Sequence, residues 1–362
     1  MRILDRYIFK TILKTYAFIC LVFIGIYFIG DIFSTLSDIF EAKTPFNLIV
    51  EYYISMIPLI FLRVSPLSIL ISVLYTLGEF NKNNEVLSMR ASGISRLRIA
   101  LPILLFAVFL SFASLFIQEK ILAVSQKRVE EIKTRFIKKS FSLITEERNI
   151  AFASKNMIFF VGSFLPKNKI MKNVVIFEEN ENRDIEKKTI CKTIVYEDGT
   201  WIGQNIMQYD IDGEGGILGK PHQLSRLEIP LDENPRDILF KKSIFADFAP
   251  LKSIKKQMIR FKKIKAHNLL ANLIIEYNRK LADPLSHFFL IIGILPLALE
   301  IKKRKAALSS LGVGFIFGFI YYVFGSFSIA LGKAGILLPI FSAWLAPLFF
   351  LTVGLTGLFL MK

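Results

Sequence analysis

The sequence predicts a membrane α-helical protein of six transmembrane helices, with an extracytoplasmic all-β, jelly-roll-like domain inserted between helices 3 and 4. Three observations predict it. The 362 residues are 53% hydrophobic, with a mean hydropathy of +0.49, which soluble domains do not reach. Charged residues still make up 21% of the chain, so a sizeable soluble part accompanies the spans. The uncharged apolar runs fall in two groups around a middle region of about 150 residues, where the pattern changes to short β-rich segments.

The runs place the spans. Thr15–Gly30 lies between Lys14 and Asp31. Val64–Gly78 follows Arg63, with a further apolar run, Tyr52–Leu62, before it. Ile99–Gln118 lies between Arg98 and Glu119, and Pro284–Leu299 between Asp283 and Glu300. Ala306–Gly332 and Ala334–Met361 complete the set. A spanning helix needs about 20 apolar residues, so the shorter runs must recruit flanking residues or snorkel. No small-residue cleavage site follows the first run, which is therefore expected to be an uncleaved signal anchor.

Lysine and arginine in the short loops set the orientation. Arg2, Arg6, Lys10 and Lys14 precede the first span. Lys82, Arg90, Arg96 and Arg98 follow the second, and Lys302, Lys303, Arg304 and Lys305 follow the fourth. The opposite loops hold little more than Lys43 and Lys333. Both termini are expected in the cytoplasm and the middle region outside it.

The stretch from Ile117 to about Ser140 is polar and helical, extending the third span outward. Short strands follow at Asn149–Ala153, Met157–Phe164, Val174–Glu178, Thr189–Tyr196, Thr200–Gln204 and Leu224–Ile229. Turn residues separate them: Pro166-Lys167-Asn168, Glu179-Asn180-Glu181-Asn182, Asp198-Gly199 and Asp212-Gly213. No Ser-His-Asp or paired-carboxylate arrangement stands out, so this is a binding or conduit domain. Asp247–His267 is basic and helical, and suits either the outer headgroup boundary or solvent. The expected divisions are 1–140 (first three spans, with a small helix at 84–93), 141–246 (β-domain) and 247–362 (amphipathic connector and last three spans).

The chemistry is narrowed by exclusion. A formal charge of +16 points to anionic partners such as lipid headgroups, and membrane insertion argues against nucleic acid. Cys20 and Cys191 fall in different regions, so no disulfide is expected, and His222, His267 and His287 lack metal-ligand spacing. Gly219-Lys220 is followed by Pro221 and Gly332-Lys333 by Ala334, so neither makes a phosphate-binding loop. No carboxylate is expected mid-span to couple an ion gradient. No cofactor is implied. Energy must come from a separate protein, or the chain transports nothing.

Three features remain as candidate sites. Asn84–Ser95 reads as a short amphipathic helix closed by Gly93, on the cytoplasmic face, where an ATPase would push. Arg63 is a charge within an apolar stretch, about 22 Å of helix from Gly78, either reaching a phosphate or snorkelling. Ser310, Gly314 and Gly318 form a small-residue ridge at four-residue spacing, either for packing within the chain or for a gate.

These residues resemble the LptF/LptG permeases of the lipopolysaccharide exporter over nearly the whole chain. Leu4-Asp5-Arg6-Tyr7-Ile8 looks like the LptG opening. Thr76-Leu77-Gly78 with Asn84–Ser95 looks like the second span and the coupling helix. Tyr277–Leu285 looks like the entry to the fourth span, and Gly312–Tyr322 like the family's Gly-rich fifth span. The resemblance implies an inner-membrane permease that does no covalent chemistry. Its implied partners are an LptB-like ATPase dimer, a second LptF/LptG-type permease, LptC- and LptA-like β-proteins, and lipopolysaccharide. It implies that Glu85, Arg90, Ala91 and Gly93 form the ATPase-coupling helix. It implies lipid contacts for the basic residues after the third span, here Lys127, Arg128 and Lys133. Family members often carry a basic residue at the outer end of the first span, where this chain has Asp31. Two alternatives stand beside it: a mechanotransmitting permease of the MacB/FtsX kind, which would place its large domain after the first span, and a non-transporting scaffold.

Overall fold

The computed structural model describes residues 3–133, 147–180, 185–197, 199–211, 217–232, 234–235, 238, 250–263, 267–300 and 306–360. The basic loop at 302–305, the Asp212-Gly213 turn and both expected domain boundaries lie outside the described residues. Helices α1 (Ile3–Ala42), α2 (Phe46–Lys82), α3 (Glu85–Ala91) and α4 (Arg96–Phe116) come first. A π-helical turn, Ile117–Ile121, joins α4 to α5 (Leu122–Ile132). Six strands follow, and then α6 (Leu251–Lys263), α7 (His267–Glu300), α8 (Ala306–Lys333) and α9 (Pro339–Leu360). Among the described residues, six helices are long and apolar enough to cross a membrane: α1, α2, α4 with α5, α7, α8 and α9. The β-domain is inserted between the third and fourth of them, as the class predicted.

The sequence places Arg63 between two apolar runs within one apolar stretch, and the structure makes the whole stretch helical. A single helix of 37 residues, α2, runs through Arg63, Pro58 and Pro66. At 1.5 Å per residue it is about 55 Å long, well beyond a hydrocarbon core of about 30 Å. Breaking it at Arg63 would leave backbone groups unpaired in lipid, which costs more than a tolerated proline.

The chain divides into two compact units. One contains Met1–Ser34, Met56–Leu122 and Ala271–Lys362, and the other Thr35–Ser55 and Ala123–Leu270. In the first, α2, α4 and α7 carry the core: Ile69, Leu70, Val73 and Leu74 meet Ile99 and Ile103, and Leu290, Ile291 and Ile294. In α7 67% of the most apolar window is buried, against 6% in α1. Helix α1 is therefore peripheral. Helix α9 approaches α7 closely at glycines. A Cβ on Gly354 would run into the Ile292 carbonyl, and one on Gly357 would meet the Pro296 ring. Small residues let membrane helices touch along their backbones.

In the second unit the strands form one antiparallel sheet in sequence order. They are β1 (Glu147–Ser154), β2 (Met157–Leu165), β3 (Ile170–Glu179), β4 (Ile185–Glu197), β5 (Thr200–Ile211) and β6 (Ile217–Ile229). The register puts one row of partners across the sheet: Val161, Val174, Cys191, Ile206 and Leu224. Phe152 and Phe159 stack at 4.9 Å across the first hairpin. The sheet curls over this face. Phe164 on β2 and Trp201 on β5 have ring centroids 6.4 Å apart, although three strand spacings in a flat sheet would separate them by about 14 Å. Strands β4 to β6 are longer than the sequence implied. Strand β6 tolerates Pro221 because it is an edge strand, and its register with β5 shifts between Gln208 and Asp210. The basic segment yields α6, which buries Ile254 and Gln257 and exposes Lys252, Lys255 and Lys256.

Two outcomes are expected. Gly354→Ala lowers bundle stability by about 1–3 kcal/mol through overpacking, whereas Gly25→Ala, with nothing within 4 Å, changes nothing; thermal unfolding in detergent compares them. Burial pushes the Cys191 thiol up to about 11, and only the thiolate reacts. Peptide mapping after alkylation at pH 8 therefore finds Cys191 unlabelled until denaturant opens the sheet.

Candidate functional site

Helix α3 is short, and its ends explain why it is rigid. Gly93 has φ +81°. Its N–H bonds the Arg90 carbonyl at 3.0 Å, and the Ile94 N–H reaches the Met89 carbonyl at 3.1 Å. This pair of bonds closes a helix with a left-handed residue, where glycine is favoured. Met89 and Ile94 also pack on the bundle core, and Val86 is buried within it. Ser95 then starts α4 by accepting the Arg98 N–H at 3.3 Å.

Glu85 opens α3 and accepts a hydrogen bond from the Tyr7 hydroxyl at 3.0 Å. The Tyr7 ring stacks on Phe80 at 5.5 Å. Close by in the sequence, Arg98 pairs with Asp5 at 2.7 Å. The first two turns of α1 are thus tied to α3 and to the start of α4. Leu87, Arg90 and Ala91 are left exposed on α3, with Leu87 at 64%. Sequence reasoning picked out Glu85, Arg90, Ala91 and Gly93 but missed Tyr7, Asp5, Arg98 and Leu87. Tyr7 and Asp5 lie in the quoted opening motif, but nothing local announces partners 78 and 93 residues away.

Arg63 lies in α2 and donates to the Tyr27 hydroxyl of α1 at 3.0 Å. It also lines a cavity of about 330 Å³ between α2, α7, α8 and α9, with Arg279, Asp283, Ser286, Tyr321 and Tyr322 among the other walls. The helix that carries the fourth apolar run begins well before Asp283, where the sequence began that run. Asp283 lies halfway along α7, inside the apolar segment Leu270–Leu299. The run read as ending at Asp283 continues as helix because a ladder of charges supports it. Lys333 pairs with Glu276 at 3.2 Å, Glu276 with Arg279 at 3.4 Å, and Arg279 with Asp283 at 3.5 Å. His287, which lacks metal-ligand spacing in the sequence, is buried in the same helix. Its Nδ1 donates to the Pro284 carbonyl at 2.8 Å, so the neutral ring accepts at Nε2. Ser65 lies 2.8 Å from Nε2, and Tyr16 2.7 Å from Ser65. One polar chain thereby joins α1, α2 and α7.

The remaining candidates lie apart from this cluster. Gly314 and Gly318 on α8 face α2, where a Cβ would meet Leu74 and Leu67 respectively. The ridge is used for packing within the chain at these two positions; the Ser310 side chain lies outside the described residues. Lys127 is exposed on α5, and Lys133 is half-buried just beyond it. Arg128 holds Glu51 through two bonds of 2.6 and 3.0 Å, and Glu131 at 3.2 Å. Its guanidinium is engaged by carboxylates of the chain itself.

A family model described as lipopolysaccharide export system permease LptF/LptG matches residues 6–361. The chain belongs to this family. An uncharacterized protein of Rickettsia prowazekii (strain Madrid E) is 28% identical over 140 residues, 38% of this chain and 37% of that protein. One of Aquifex aeolicus (strain VF5) is 30% identical over 112 residues, 30% of each chain. The chain thus spans about a third of the length of the curated relatives it matches. Family membership and the six apolar helices make it a multi-pass inner-membrane protein. The full-length match also sets aside the MacB/FtsX alternative.

The double ion pair of Arg128 has a direct consequence. Arg128→Glu or Glu51→Arg alone is expected to lower the thermal midpoint slightly, because the pair is exposed and screened although bidentate. The double exchange restores most of it. A thermal-shift double-mutant cycle reads this, and a cycle without coupling would return Arg128 to the open lipid contacts.

Proposed function

We propose that the chain is the permease subunit of an ATP-driven transporter that extracts lipopolysaccharide from the inner membrane and passes it to a periplasmic bridge. The observation that carries this reading is α3: capped at Gly93, anchored through Val86, and presenting Leu87, Arg90 and Ala91 outward. A transporter chain without a nucleotide site needs such an element to receive force from an LptB-like ATPase dimer. The family match supports the cargo. The loop lysines and arginines support cytoplasmic termini and a periplasmic β-domain. The opening Leu4–Ile8 supports the LptG type.

Two further surfaces fit the remaining partners. Helix α1, with Phe18, Leu21, Ile29 and Phe33 exposed, and the outward face of α8, with Phe319 and Phe327 exposed, suit a second LptF/LptG-type permease and a lipid path between the two. The edge strands β1 and β6 suit LptC- and LptA-like β-proteins. Residues 1–140 and 247–362 would form the transport machinery, and 141–246 the lipid receiver.

Mechanically, closure of the ATPase dimer displaces α3. The Glu85–Tyr7 and Arg98–Asp5 contacts carry that displacement into α1, whose exposed apolar face is turned to a partner. No bond of the lipid is made or broken.

The test is ATP-dependent lipopolysaccharide release from vesicles containing the whole complex. Gly93→Pro and Glu85→Arg are expected to lower release about tenfold, equivalent to about 1.4 kcal/mol, while the complex still assembles. Tyr7→Phe gives a smaller loss of the same kind. Undiminished release from the first two variants overturns the assignment of α3.

A further inference from the structure

The cavity between α2, α7, α8 and α9 carries chemistry that the mechanism proposed above does not use. Its lining contains two guanidinium groups, Arg63 and Arg279, one carboxylate, Asp283, and the hydroxyl-bearing residues Ser286, Tyr321, Tyr322 and Ser326. Ionisable groups within apolar helices are costly and mark sites by default. These are also accessible. The Asp283 side chain is 61% exposed although it lies at the midpoint of α7, because it faces the open volume. Arg63, Tyr322 and Ser326 are exposed as well, so the cavity is open on one side rather than sealed.

The charges lie in an order that selects a ligand. Arg279 is shared between Glu276 and Asp283, whereas Arg63 touches only the neutral Tyr27 hydroxyl among its described hydrogen-bond partners. Arg63 is thus the group suited to take a phosphate. Among the described residues Asp283 has one long ion pair of 3.5 Å and an open face beside two phenol rings, a setting that suits an ammonium. The volume of about 330 Å³ is at the low end for small-molecule sites, which fits a headgroup and leaves acyl chains outside. The site is set among membrane helices, where its natural visitors are lipids.

We infer that this cavity binds the phosphoethanolamine headgroup of a bilayer phospholipid, its phosphate on Arg63 and its ammonium on Asp283. The selectivity for a zwitterion rests on Asp283, which attracts the ammonium and repels a second anionic group. The bound lipid fills the space between α2 and the α7–α9 side of the bundle and is retained there, not exported. The inference does not depend on the export reading.

The experiment uses the full chain, with the partners it carries, in detergent with equal amounts of phosphatidylethanolamine and phosphatidylglycerol of the same acyl composition. Lipid retained on the protein is counted by native mass spectrometry. The wild type is expected to retain phosphatidylethanolamine over phosphatidylglycerol. Arg63→Gln should lower retention of both about tenfold, the loss expected for one charge-assisted contact. Asp283→Asn should move the preference towards phosphatidylglycerol, because the lining charge rises by one; a merely structural role would not reverse a selectivity. If Asp283→Asn does not fold, Ser326→Leu, at an exposed wall, closes the cavity and should abolish retention of either lipid. Equal retention of the two lipids by the wild type, undiminished retention by Arg63→Gln or Ser326→Leu, or an unchanged preference in Asp283→Asn overturns the inference.

Discussion

The bundle depends on α2 remaining one unbroken helix. In lipid every backbone N–H and C=O must be satisfied within the protein, and α2 meets that demand through Pro58, Arg63 and Pro66. Much else rests on it. Leu67, Leu70, Ile71 and Leu74 accept the glycine face of α8, Ser65 receives Tyr16 and faces His287, and Arg63 forms a wall of the cavity. Its end delivers the chain through Asn84, which has φ +58°, directly into α3. A break at Arg63 would remove the surface on which the other helices are arranged.

Polar groups within the bundle are organised as chains rather than isolated pairs. The run Lys333–Glu276–Arg279–Asp283 alternates in sign, so each charge leans on the next and none bears the full cost of leaving water. The Tyr16–Ser65–His287 chain does the same with neutral groups. Such arrangements permit polar residues in an apolar setting while keeping their geometry fixed. They also divide the bundle. The sealed chain at His287 holds helices together, and the open end at Asp283 faces space.

Helix α3 shows how a very short helix becomes a usable lever. Seven residues cannot hold a helix by propensity alone. Burial of Val86, the paired bonds around Gly93 and the Tyr7 contact supply what its length does not. The exposed Leu87 is then held in place instead of collapsing inward. The β-unit reaches stability by a different route, curling one sheet until Phe164 and Trp201 share a core.

The sequence by itself determined the class: six apolar helices, a β-domain after the third, and a glycine-closed helix between the second and third. These follow from hydropathy, charge and turn chemistry, all local properties. It also carried Glu85 and Gly93, since helix ends are written in neighbouring residues. Only the tertiary structure decided the rest. It extended the helix around Arg63 to 37 residues, through Pro58 and Pro66, because backbone satisfaction outweighs a charge and two prolines. It engaged Arg128 with Glu51, 77 residues away, and turned Gly314 and Gly318 towards α2. It drew His287 and Asp283, which look incidental in the sequence, into a buried chain and an open cavity. Contacts at such separations leave no local pattern, because a side chain's partner is set by which helices pack together and at what rotation.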